Sequence, residues 1–90
     1  MNGERKRVLV GAARLSFVAE VVRTTGVDLG VILTRSANQI VDRLEHVFED
    51  FEVTVEGPTA EDTLEFWVSV PADTVVPPNL ERLAVGQLDG

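Results

Sequence analysis

The sequence predicts an α/β (α+β) two-layer sandwich with elements in the order β-α-β-α-β-β. The expected sheet is four-stranded and mixed, with two helices on one face. Three observations carry this reading. Residues 34–51 hold an uninterrupted helical stripe, residues 51–56 and 64–70 alternate apolar with polar around a Gly-Pro loop, and residues 7–10 and 27–33 are short bounded apolar runs.

Ninety residues, 44% of them apolar, suffice for one domain around one core with little surface to spare. The chain has no Cys, which excludes disulfides, thiolate metal sites and thiol nucleophiles. No apolar run approaches the length of a membrane span, and MNGERKRVLVG lacks the apolar core of a signal peptide. A cytoplasmic protein is expected.

In order, Arg7–Val10 is apolar and β-branched and ends at Gly11, as a buried strand turning at glycine. Between Ala12 and Thr25 the stripe Leu15, Val18, Ala19 and Val22, flanked by Phe17 and Val21, predicts a helix. Gly26 stands where a helix C-cap belongs. Val27–Leu33 (VDLGVIL) reads as a second strand bounded on both sides. The next helix is the clearest element. Ala37, Ile40, Val41, Leu44, Val47, Phe48 and Phe51 recur at i, i+3, i+4, i+7, i+10, i+11 and i+14, and Ser36 with Gln39 has capping-box spacing. Phe51, Val53 and Val55 alternate with Glu52, Thr54 and Glu56. Leu64, Phe66, Val68 and Val70 answer them beyond the loop, so the two runs form a hairpin. Pro71 stops the last strand, Pro77-Pro78 marks an extended tail, and Asn79 can cap a turn through Leu80, Leu83 and Ala84.

Charge is divided unevenly within a net of −7. Residues 1–44 hold seven basic side chains against four acidic ones, whereas residues 45–90 hold Arg82 against eleven carboxylates. Such asymmetry fits a polyanion-binding edge on a repelling body, or simply a solvated acidic surface. With right-handed crossovers both helix N-termini fall on one sheet edge, bringing Arg14 and Arg35 together where free N–H groups favour an anion. Lys6 and Arg7 enter the first strand at the opposite end, where they steer rather than contact.

The βαβαββ order, the strand ending in VLVG and the helix entered through LTRSANQIV resemble the Alba superfamily. The stretch from Leu29 to Val41, with Ala37-Asn38-Gln39 before Ile40-Val41, is closest to the stage V sporulation protein S branch. The resemblance covers roughly residues 7–70. It implies an Alba-like domain over 1–70 followed by a Pro-containing tail over 71–90, packing on the domain or extending from it. It also implies a homodimer that binds nucleic acid; a regulatory role is expected, with DNA ahead of RNA and the choice between them left open by the sequence. Arg14 and Arg35 match basic positions of the family, and Arg14, Arg35, Asn38, Gln39 and Arg43 are the expected contacts, with capping and solvation as the other role open to Asn38 and Gln39. Two departures argue against non-specific chromatin coating. Ala12-Ala13 stands where chromatin-type members carry a lysine pair, and the hairpin EGPTAEDTLE is acidic.

Other chemistries find no constellation. His46 between Glu45 and Glu49 lacks a second His or a Cys for a metal site. Ser16, Ser36 and Ser69 have no His–Asp partners, and Gly11-Ala12-Ala13 is too short for a dinucleotide fingerprint. No catalysis, cofactor, metal or membrane partner is therefore expected. Trp67 points away from the Leu64/Phe66/Val68 face and is expected to pack on the tail (Val75, Val76, Leu80) or fill a dimer interface. The competing expectation to nucleic-acid binding is an acidic protein–protein interaction module that keeps the fold.

Overall fold

The chain after Glu4 extends around Val8, Leu9 and Val10 as β1 (Arg5–Arg14), which is followed directly by helix α1 (Leu15–Thr25). Then come α2 (Leu29–Leu44), the hairpin β2 (Glu52–Glu56) and β3 (Thr63–Pro71), and a short α3 (Leu80–Val85). The computed structural model describes residues 4–85. The strands form one antiparallel sheet in the order β1-β3-β2, so the hairpin's second strand is central. The architecture is α+β, and among the described residues the sheet has three strands rather than the expected four.

The missing strand is Val27–Leu33. Asp28 is extended (φ −63°, ψ 144°), and its side chain accepts a hydrogen bond from the Gly30 N–H at 3.0 Å. That satisfies one of the orphan donors of a helix start, so α2 begins at Leu29. The helical stripe continues backwards as well: Leu33, Ala37, Ile40 and Leu44 stand at i, i+4, i+7 and i+11, and Leu33 packs against the core. Ser36 is therefore inside the helix and does not cap it. The far end is also earlier than expected. The helix closes at Leu44, and the chain turns through residues 45–47. Phe48 still donates its N–H to the Leu44 carbonyl at 3.0 Å and remains 6% exposed, tilted against Phe51 with ring centroids 6.0 Å apart.

Strand β1 does not stop at Gly11. Leu9 pairs with Trp67 and Gly11 with Phe66, leaving Val10 as the extra residue of a bulge. Because side chains alternate across a sheet, the extra residue changes which parity faces the helices. Lys6, Val8 and Val10 face them before the bulge; Gly11 and Ala13 face them after it. The start of α1 moves to Leu15 accordingly. At its other end Gly26 takes φ +72° and donates to the Val22 carbonyl at 2.8 Å, the expected C-cap.

The core is built on the inward residues of β3, where Val68 and Val70 are fully buried and Phe66 is 7% exposed. Ile40 and Leu44 of α2, with Val10 and Phe48, close over them. The segment after Pro71 returns to this face. Ala72 donates its N–H to the Glu4 carbonyl at 3.1 Å, and Lys6 Nζ donates to the Thr74 carbonyl at 2.6 Å. Leu80 and Ala84 of α3 then enter the same cluster as Phe66 and Leu44. The tail thus packs on the domain through Leu80 and Ala84; residues 86–90 lie outside the described part. Among the described residues no helix is long and apolar enough to cross a membrane.

Candidate functional site

The two arginines expected to share an edge occupy different settings. Arg14 is the N-cap residue of α1, extended at φ −70° and ψ 138°, with no side-chain cap. The Leu15 N–H beside it donates to the Asp62 carbonyl of the hairpin loop at 2.8 Å. Arg14, Leu15 and Ser16 form a shallow hollow with Glu61 and Asp62. The hairpin therefore places carboxylates and a carbonyl where an anion was expected, and weakens the pull of the helix end on phosphate. Arg35 is inside α2, because that helix starts at Leu29 and not near Ser36. It stands at no helix N-terminus, and its backbone N–H belongs to the helical ladder.

The structure gathers the other expected residues differently. Arg35, Asn38, Gln39 and Arg43 are all exposed on α2, and Arg35, Gln39 and Arg43 follow one another at i, i+4 and i+8. Among the described residues neither Arg35 nor Arg43 joins an ion pair. The other arginines of the first half, Arg14 apart, are engaged: Arg5 with Asp50 at 3.3 Å, Arg7 with Glu56 at 2.6 Å, and Arg23 with Glu20. Four of the five expected contacts thus share one helix surface, and Arg14 is separate from them by element.

Beside this ridge runs an apolar groove of about 350 Å³ between α1 and α2. Val18 and Val21 come from α1, and Ile32, Leu33 and Ile40 from α2, while Gly11, Ala13 and Phe66 approach from the sheet. The groove follows from the bulge. With the parity of β1 reversed, the inward residues below the helix pair are Gly11 and Ala13, which are too small to fill the space. Phe17, 65% exposed, stands on one lip. Ser36, Gln39 and Arg43 stand on the other, and none of the residues lining the groove is Asp or Glu. The sequence reading missed this feature, although its signal was a run of small residues (Gly11-Ala12-Ala13) ahead of an overly broad apolar face on α1.

The opposite sheet face carries Trp67. Its indole N–H donates to Glu65 Oε1 at 3.1 Å, and the Arg7 guanidinium lies 4.5 Å from the ring centroid. The expectation that Trp67 packs on the tail is overturned. Leu80 is buried on the helix side of the sheet and Val76 packs against the same core, whereas Trp67 points outward from β3. Arg7 is likewise a structural partner rather than a free steering charge.

Glu45 and His46 are exposed in the turn after α2. Among the described residues no three His, Asp or Glu side chains come together as a metal-holding group. No protein-family model, curated protein or solved structure matches the chain.

Proposed function

We propose that this chain is a non-catalytic binding module whose working surface is the groove between α1 and α2, receiving an apolar group from a partner or ligand. The observation that carries the reading is the groove itself, an open hollow of about 350 Å³ with apolar walls. Its volume falls within the roughly 300–1,000 Å³ of small-ligand sites. An exposed Phe17 on the lip adds apolar surface that a solvated helix does not need. Nile red, a neutral apolar dye, tests it. The folded chain should bind about one equivalent with a blue-shifted emission, and Val21→Trp, which fills the groove, should abolish that binding while leaving the circular dichroism spectrum unchanged. Absence of dye binding to the folded parent removes the proposal.

A second reading rests on the exposed surface of α2. Arg35, Asn38, Gln39 and Arg43 offer two amides and two guanidinium groups that pair with no acid among the described residues, a set on one helix suited to phosphate contacts by a homodimer related to the Alba superfamily. The helical conformation of residues 29–33 leaves that relationship resting on the α2 surface and not on sheet topology. The net charge of −7 opposes it, and so does the acidic loop beside Arg14. Gel shifts on duplex DNA and on RNA at two salt concentrations separate the readings. A DNA complex that disappears in Arg35→Glu/Arg43→Glu, with the salt slope reduced by about one unit per contact, supports the second. Unshifted nucleic acid at low salt rejects it.

A further inference from the structure

The geometry points to a small apolar monocarboxylate as the occupant of the α1–α2 groove, with Arg43 as its counter-ion. The inference rests on the groove being a binding surface, and it adds the chemistry of what is bound. Ser36, Gln39 and Arg43 stand at i, i+3 and i+7 of α2 and line the groove together. On a helix these spacings fall within an arc of roughly 60°. None of the three side chains hydrogen-bonds or ion-pairs with another described residue. A hydroxyl, an amide and a guanidinium therefore edge one hollow with their donors unspent.

The charge pattern is selective. Among the described residues no carboxylate belongs to the groove lining, while Arg5, Arg7 and Arg23 each hold an acidic partner elsewhere. Arg43 is thus a cation at an apolar hollow with no acid paired to it among the described residues. A guanidinium fork matches a carboxylate with two parallel hydrogen bonds, and the exposed Arg43 can offer it from the groove lip. Only one cation lines the groove, so one negative charge is matched. A phosphate dianion there leaves an uncompensated charge against Val21 and Ile32. The apolar remainder of the ligand lies against Val18, Val21, Ile32, Ile40 and Phe66, and the volume of about 350 Å³ suits a medium-chain acid.

Titration of the full chain with octanoate, followed by amide resonances and by calorimetry, tests the assignment. Octanoate should shift Val21, Ile32, Ser36, Gln39 and Arg43. It should bind about threefold more tightly than octanol or octylamine, the ratio expected for an ion pair open to solvent. Arg43→Gln should bring octanoate down to the level of octanol, and Arg43→Lys should retain part of the preference because it keeps the charge without the fork. Equal binding of octanoate and octanol, unaffected by Arg43→Gln in a protein of parental circular dichroism, overturns the carboxylate and leaves the apolar groove. Octyl phosphate binding more tightly than octanoate overturns it too. Failure of octanoate, octanol and Nile red together brings down the groove reading itself.

Discussion

The Arg7 guanidinium lies 4.5 Å from the centroid of the Trp67 ring and reaches across central strand β3 to Glu56 of β2 at 2.6 Å. One side chain thereby spans all three strands on the face away from the helices. Both charged groups are about half exposed, so solvent screens the ion pair and the ring contact is the more durable part. A double-mutant cycle with Arg7→Ala and Trp67→Leu, read by urea denaturation with circular dichroism, should give a coupling of about 0.5–1 kcal/mol. Additive effects would show that the stack is geometric only.

Leu44 is fully buried on the last turn of α2, and Asp42 two residues earlier is exposed. Leu44→Ala removes packing within the core cluster and leaves a void that neighbours fill only partly. It should cost about 2–5 kcal/mol. Asp42→Ala should change stability by about 0.5 kcal/mol or less. Chemical denaturation of the two variants side by side checks the facing of the helix.

The start of α2 is open to a direct test. Asp28→Ala deletes the acceptor for the Gly30 N–H and should cost about 1 kcal/mol, whereas Ser36→Ala, inside the helix and on the groove lip, should be near neutral. The opposite ranking in thermal melts would restore a helix beginning at Ser36 and a strand before it.

Gly57 holds φ +122°, and a Cβ there would come within 2.6 Å of the Thr63 carbonyl oxygen across the hairpin loop. Gly26 has φ +72° with no atom within 4 Å of such a Cβ. Alanine at Gly26 therefore meets only the left-handed penalty of about 1–2 kcal/mol. At Gly57 backbone displacement adds to the strain, so Gly57→Ala should be the more damaging in denaturant midpoint. Equal midpoints would mean that the loop relaxes freely.

What the sequence by itself determined lies where a local rule has one outcome. The hairpin is legible because Phe51 to Glu56 and Leu64 to Val70 alternate with period two on either side of Gly57-Pro58, and β3 buries that alternation residue for residue. The cap at Gly26 and the buried face of α2 through Ile40 and Leu44 are legible for the same reason. Of the candidate site, the polar placement of Asn38, Gln39 and Arg43 on α2 was readable from helical spacing, whereas Arg35 was expected ahead of the helix and lies inside it. The relation of these residues to Arg14 was not readable, since it depended on where two helices begin. Tertiary structure decided the rest. Val27–Leu33 is apolar enough to be a buried strand, and only the cap at Asp28 together with the packing of Leu33 against the core makes residues 29–33 helix. The bulge at Val10 has no signature in β1 alone, because it depends on which residue of β3 each position meets. That single extra residue turns Gly11 and Ala13 toward the helices, and the groove exists because two side chains that small cannot fill the space beneath them.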